Sequence, residues 1–283
     1  VDAPIEGAKA ADGAKLARPV RRTAAAFYLG RRKYGPIHEL QASLQAAVIR
    51  SELSDVVLLL EHEPVVTLGR SAKQANVLFS RASLEQRGVD LEETGRGGDV
   101  TFHGPGQLVG YPIVDLRPDR CDLRRYVARL AEVMVLIARD HNVEAGTVDG
   151  LIGVWADAEE PTRWATAPWA GRLSKIGAIG VRVSRWVTMH GFALNLDVDL
   201  AQFGLIVPCG ISAHPVTSLR ELAGQTPGVR QVAMNLDRHL AWALDQPVAP
   251  VTDLSQLPTS ELFREIASAA PAALKSDATE LVP

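Results

Sequence analysis

Cysteine is scarce in this chain: two residues in 283, Cys121 and Cys209, cannot build a disulfide framework. Two lone thiols fit a reducing compartment and leave one or both available for chemistry. A basic excess is missing too. Thirty Lys and Arg stand against 33 Asp and Glu, a net charge of −3, so the charge gives no general footprint for nucleic acid. Apolar runs such as Val133–Ala138 fall far short of the ~20 residues that cross a bilayer. The first residues lack the apolar core of a secretory signal. These absences lead to the expectation of a cytoplasmic protein with neither a nucleic-acid nor a membrane partner.

What is present suits a globular domain. Hydrophobic residues make up 47% of the chain and mean hydropathy is +0.03, enough apolar surface for a substantial core. Residues 1–22, rich in Ala, Gly, Pro and charge without a clear period, read as a flexible extension. Phe27–Leu29 and Val56–Leu60 read as strands. Ile37–Arg50 reads as an amphipathic helix with Leu40, Leu44, Ala47 and Val48 on one face. Leu108–Leu116 is a strand interrupted at Pro112, which predicts an edge position or a bulge.

Leu123–His141 has the clearest helical period. Leu151–Trp155, Ile176–Val183 and Trp186–Leu196 follow as strands, the last two joined by a hairpin turn over Val183–Trp186. Helical patterns near Val229–Asp245 and Thr259–Ala267 close the chain. Residues 156–174 read as a long loop or insertion. Strands with helices between some of them predict a mixed α/β or α+β fold with helices on one face of the sheet.

The most unusual stretch is Thr94–Gln107, with five glycines in fourteen residues. Glycine at that density permits positive φ and close approach of a ligand to backbone amides. Arg96 adds an anion-pairing fork and His103 a titratable group. A tight loop between strands explains the glycines equally well. The spacing is not that of a phosphate-binding P-loop.

Lys175 opens an apolar strand in which Gly177, Ala178 and Gly180 leave room beside it, and desolvation there favours a neutral amine. A solvated lysine at a strand end is the plain alternative. Cys209 sits between Pro208 and Gly210, in a turn rather than within a core period, where a thiol is open to substrate and neighbouring amides can hold an oxyanion; a purely structural cysteine is the plain alternative. Cys121, just before a long helix, reads as a cap-region or packing residue.

His190 breaks an apolar strand, where a histidine is most often satisfied by a neighbour, and Arg70 is either a surface residue or an anion contact. From Arg163 to Leu196 there are five basic residues (Arg163, Arg172, Lys175, Arg182, Arg185) and no acid, which predicts a local positive surface. No His/Cys pair has zinc-like spacing, so no metal is expected.

Taken together, Arg96-Gly97-Gly98-Asp99-Val100-Thr101-Phe102-His103-Gly104-Pro105-Gly106-Gln107-Leu108-Val109-Gly110-Tyr111 closely resembles the motif of the lipoyl(octanoyl) transferase family. The resemblance continues through Leu68-Gly69-Arg70, Lys175–Gly180, His190–Asn195 and Pro208-Cys209-Gly210-Ile211, and covers roughly residues 25 to 245. It implies an α/β (mixed α+β) fold, a central mixed sheet with flanking helices, similar to biotin and lipoate ligases.

The same resemblance implies a catalytic domain over 23–250, followed by a C-terminal helix and tail over 251–283. The implied reaction moves an octanoyl group from acyl carrier protein to a lysine of lipoyl domains, in 2-oxoacid dehydrogenase complexes and the glycine cleavage system. No cofactor is implied beyond the carrier's own phosphopantetheine arm, and a monomer is expected.

By resemblance Cys209 is the nucleophile and Lys175 its base. Arg70, Arg96, Gly97, Gly98, His103, Gly104, Gly177, Ala178, Ile179, His190, Gly191 and Ala193 match substrate-binding positions. Residues 156–174 look longer than the family pattern. Two other readings stand beside this one: an ATP-dependent lipoate or biotin ligase, which needs no nucleophilic cysteine, and a non-catalytic module that binds carrier proteins.

Overall fold

The computed structural model describes residues 22–164, 173–207 and 214–272. The expected flexible extension, the end of the tail and the Cys209 turn therefore lie outside the described residues, as do 165–172 of the expected insertion.

The chain runs β1 (Ala25–Arg32), α1 (Tyr34–Ile49), β2 (Val56–His62), β3 (Val65–Leu68), α2 (Arg81–Gln86), β4 (Asp90–Glu93), β5 (Val100–His103) and β6 (Gln107–Ile113). It continues through α3 (Leu123–Asp140), β7 (Ala145–Val148), β8 (Leu151–Asp157), β9 (Leu173–Ser184) and β10 (Val187–Asn195). Last come α4 (Leu219–Ala223), α5 (Val229–Ala233), α6 (Asp237–Leu244), β11 (Thr252–Asp253) and α7 (Thr259–Ala269).

Eight strands form one sheet in the order β11-β1-β2-β6-β10-β9-β8-β7. β1 is parallel to β2 and β11, with α1 as the crossover between β1 and β2, and the remaining neighbours are antiparallel. The mixed sheet with flanking helices is as expected. β3, β4 and β5 form a second, three-stranded sheet, and its β5 lies inside the glycine-rich stretch.

The helices do not keep to one face. Ala26, Tyr28, Val57 and Leu59 pack with α3, α5 and α6 on one side of the sheet. Their alternates Phe27, Leu29, Val56, Leu58 and Leu60 pack with α1 and α7 on the other. Because successive strand side chains point to opposite faces, a continuous apolar run such as Val56–Leu60 requires cover on both sides. α3 shows how the sequence writes such a cover. Asp122 caps it by accepting from the Arg125 amide at 3.0 Å, and Tyr126, Leu130, Val133, Met134 and Ile137 supply the buried stripe. Asn142, at φ 59°, turns the chain away after its end.

β6 is central, not an edge strand. Pro112 is tolerated because the β6–β10 ladder stops at Gly110↔Phe192 and resumes, in unchanged register, only at the Asp115↔Val187 bridge. Across the gap the Thr188 hydroxyl donates to the Pro112 carbonyl at 2.7 Å and accepts from the Val114 amide at 3.0 Å. A side chain thus replaces the missing rung.

The pattern over 229–245 is two short helices, interrupted at Met234–Leu236, where the Asn235 side chain bonds the Gln231 carbonyl. The 156–174 loop is shorter than expected. β8 runs on to Asp157, whose carboxylate accepts from the Glu159 and Glu160 amides and starts the turn, and β9 begins at Leu173. The β9–β10 hairpin turns through Arg185 and Trp186, at φ 49° and 64°.

Candidate functional site

β9 and β10 form the floor of a cavity of about 420 Å³. Small residues make it possible: Ala178, Gly180, Gly191 and Ala193 keep the floor low. Tyr34 from the start of α1, the 96–101 segment, Leu123 and Val127 of α3, Gly150 of the β7–β8 turn and Ile152 of β8 supply the walls. Leu123 and Ile152 remain 44% and 67% exposed, so the lip is apolar.

Of the predicted positions, Arg70, Arg96, Gly97, Gly98, His103, Lys175, Ala178, Ile179, His190, Gly191 and Ala193 all line this cavity. Gly104 and Gly177 do not. A β-carbon on Gly104 would strike the Phe102 ring at 2.7 Å, and one on Gly177 would strike Met134 Sδ of α3 at 2.6 Å. Both are small for packing reasons behind the site.

Lys175 is the third residue of β9 rather than its mouth, and it is buried. Its Nζ lies 5.4 Å from the centre of the Trp155 ring. Trp155 in turn takes the His214 ring edge-on at 5.5 Å. The Lys175 amide donates to the Pro215 carbonyl at 2.8 Å, and the Thr217 amide donates to the Lys175 carbonyl at 2.9 Å. The chain that follows residues 208–213 is therefore tied to Lys175.

The chain that precedes them is tied to the opposite wall. The Val207 amide donates to the Asn76 carbonyl at 2.8 Å, and the Asn76 side chain donates to the Asp99 carboxylate.

The 96–99 loop is clamped from two sides. Gly97 donates to the Val181 carbonyl at 3.0 Å, while Arg70 and Ser71 donate to the carbonyls of Arg96 and Gly98. Gly69 meets the Gly98 carbonyl so closely that no side chain fits there. The Arg96 guanidinium, 8% exposed, donates to the Thr67 carbonyl at 2.7 Å, the Thr67 hydroxyl at 2.9 Å and the Gly97 carbonyl at 3.1 Å. It ties the loop to β3.

Among the described residues the expected positive surface is not one face. Lys175 points into the cavity, Arg163 faces Glu160 at 3.6 Å, Arg182 and Arg185 are exposed on the hairpin, and Arg172 lies outside the described residues.

One end of the cavity is a cluster of imidazoles and phenols. The Tyr34 and His103 rings stack at 6.4 Å, and His62 lies 5.8 Å from both His103 and Tyr111. Their protonation is set by backbone carbonyls, which can only accept. His62 Nδ1 lies 3.1 Å from the Arg32 carbonyl and so carries the proton, and its Nε2 then accepts from the Tyr111 hydroxyl at 2.8 Å.

A second chain begins at the Thr217 carbonyl. It accepts from Asn195 Nδ2 at 2.9 Å, and Asn195 Oδ1 accepts from Gln107 Nε2 at 2.9 Å. Gln107 Oε1 must then accept from His103 Nδ1 at 2.7 Å, which leaves Nε2 of His103 unprotonated. Burial pushes His62 down to about 4 and both His103 and His190 down to about 3, so all three imidazoles are neutral near pH 7. Burial likewise pushes Tyr34 up to about 12 and raises Tyr111.

Sequence reasoning passed over His62, Tyr34 and Asn195 as site residues. Gln107 and Tyr111 stood inside the quoted motif without a role. His62 carried one usable signal, a polar residue ending an apolar strand; Tyr34 carried none. Among the described residues no three His, Cys, Asp or Glu are placed to hold a metal ion, and no helix is long and apolar enough to cross a membrane.

The profile of the lipoyl protein ligase A/B catalytic domain matches residues 34–241. An octanoyltransferase of Koribacter versatilis is 44% identical over 236 residues, covering 82% of this chain and 89% of that protein. One of Solibacter usitatus is 42% identical, covering 80% and 96%. Among solved structures, lipoate-protein ligase A bound with ATP superposes with a TM-score of 0.62 at 15% identity, covering 87% of this chain and 95% of that one. A bipartite lipoate protein ligase of Thermoplasma acidophilum superposes at 0.61, also at 15% identity, covering 87% and 93%. At that identity the likeness is one of fold.

Proposed function

The chain belongs to the lipoyl protein ligase A/B catalytic domain family, and from that membership we propose the following reaction for it. The protein is an octanoyltransferase. It takes the octanoyl group from the phosphopantetheine thioester of acyl carrier protein and delivers it to a lysine amine of a lipoyl domain. No cofactor of its own takes part.

Cys209 attacks the thioester carbonyl, and the carrier thiol leaves to give an acyl-Cys209 enzyme. Lys175 takes the cysteine proton and passes it to the departing carrier thiolate, then takes a proton from the attacking lysine nitrogen and returns it to Cys209 as that thiolate leaves. The second step replaces a thioester with an amide and so runs forward. Arg70, Arg96, Gly97, Gly98, His103, Ala178, Ile179, His190, Gly191 and Ala193 form the acyl site, in which each buried methylene contributes about 0.8 kcal/mol.

The observation that carries this reading is the Lys175 amine in the wall of an apolar cavity floored by Gly and Ala. The ties of Val207 to the Asn76–Asp99 wall and of Pro215 to Lys175 support it, because they anchor both ends of the Cys209 segment beside that cavity.

Intact-protein mass spectrometry after mixing with octanoyl-carrier tests it. Wild type is expected to gain one octanoyl group that then passes to a lipoyl domain, and Cys209→Ala to gain none. A Cys209→Ala enzyme working at the normal rate rules out the covalent step. Product that requires ATP and free octanoate points instead to a ligase.

A further inference from the structure

The far end of the cavity has a polarity that a methyl-terminated chain leaves unused. Lys175 Nζ and the Gly177 carbonyl oxygen lie 3.2 and 2.5 Å from the point where a β-carbon on Gly153 would fall, so the amine sits near the level of Gly177. His190 pairs with Val181, four residues further along β9, a distance of ~13 Å at ~3.3 Å per residue. An extended eight-carbon chain covers ~8 Å, seven bonds at ~1.2 Å each. The remaining ~5 Å is about one C–O bond and one hydrogen bond.

At that end, His103 Nε2 and the Tyr111 oxygen are both acceptors, because the backbone-anchored chains have already fixed where their protons go. His190, 2% exposed and lining the cavity, has no partner for either ring nitrogen among the described residues. As a neutral imidazole it offers one N–H and one lone pair. Its backbone stands at φ 60°, in the left-handed region that a non-glycine residue rarely occupies. Strain and unmade hydrogen bonds on one buried side chain mark a position kept for a ligand.

The group that fits must donate and accept at once. A carboxylate brings only lone pairs to two acceptors, and a methyl group meets none of these groups, whereas a hydroxyl donates its one proton to His103 Nε2 or the Tyr111 oxygen and accepts from the His190 N–H.

Resting on the octanoyl-transfer reading above, we propose that this cavity also takes medium-chain acyl groups bearing a terminal hydroxyl, and that the enzyme transfers them. The bond changes match those for octanoate. The thioester C–S bond breaks, the amide C–N bond forms, the proton lost by the lysine nitrogen ends on the released thiol, and the terminal hydroxyl is untouched.

The test compares 8-hydroxyoctanoyl, octanoyl and octanedioyl thioesters on the same carrier, reading acylated lipoyl domain by mass spectrometry. The hydroxyl chain is expected within about tenfold of octanoyl in kcat/KM and the octanedioyl chain far below both. A loss of about a hundredfold for the hydroxyl chain is what a purely apolar pocket imposes and would overturn the proposal. In His190→Leu the hydroxyl chain should lose at least about ten times more than octanoyl; equal losses overturn it too. Transfer of octanoyl alone defeats only this inference, whereas transfer of neither chain defeats the octanoyl reading as well.

Discussion

Gly153 and Lys175 fix each other's place: a β-carbon on Gly153 would stand 2.6 Å from Cε and 3.2 Å from Nζ of Lys175. Gly153 also has φ 128°, a backbone that L side chains rarely adopt. Gly153→Ala is therefore expected to slow turnover at least about tenfold, or ~1.4 kcal/mol in the barrier. The strain should cost on the order of 1–3 kcal/mol of stability. Single-turnover kinetics and a thermal melt on one preparation check both. Normal turnover in a destabilised protein would show that the position of the amine does not matter.

Acid should unfold the protein earlier than its carboxylates alone require. His62, His103 and His190 have folded pKa values of about 4, 3 and 3, below ~6.5 in the unfolded chain. Groups depressed in this way stabilise fully above ~6.5, and that stability is lost as pH falls toward 4. Each contributes a slope of about 1.4 kcal/mol per pH unit in that window. Urea melts between pH 7 and 4.5 should show it, and His62→Asn should flatten it by one histidine's share.

Arg96→Lys should behave as a structural lesion. Lysine cannot reach the Thr67 carbonyl, the Thr67 hydroxyl and the Gly97 carbonyl together, as the planar fork does. A loss of about 1.5–3 kcal/mol is expected, with a raised KM as the 96–99 loop slackens. An unchanged denaturation midpoint would contradict that role.

The β9–β10 turn offers a gain. Arg185 and Trp186 both sit at positive φ in a two-residue hairpin loop, a geometry that favours Asn-Gly. Arg185→Asn with Trp186→Gly should add about 1–2 kcal/mol, read as a higher Tm with activity retained.

The helices and strands that position the site were legible where period and composition agreed, as in α3 and in the β9–β10 pair. Pro112 misled because its effect depends on which neighbour is asked for a hydrogen bond; the β10 ladder is interrupted there, and Thr188 fills in. The second sheet was missed because four-residue strands such as Val100–His103 carry almost no period, and glycines on either side hide them. Eleven of the predicted positions share one cavity, since the motif that names them is long. Gly104 and Gly177 were small for reasons visible only in three dimensions, beneath Phe102 and Met134. Tyr34 carried no signal, because the helical period was legible only from Ile37 and the helix begins a turn earlier.

That helix has a lasting consequence. α1 seals one face of the sheet through Ile37, Leu40 and Leu44, while its Tyr34 walls the cavity and its Gln41 holds the His190 amide at 3.0 Å. Sixteen residues thus serve durability and selectivity at once. A lineage that repacks this segment for a hotter habitat would also be redrawing the tail end of the tunnel, and a change of diet at that end would register first as a change in how well the fold holds.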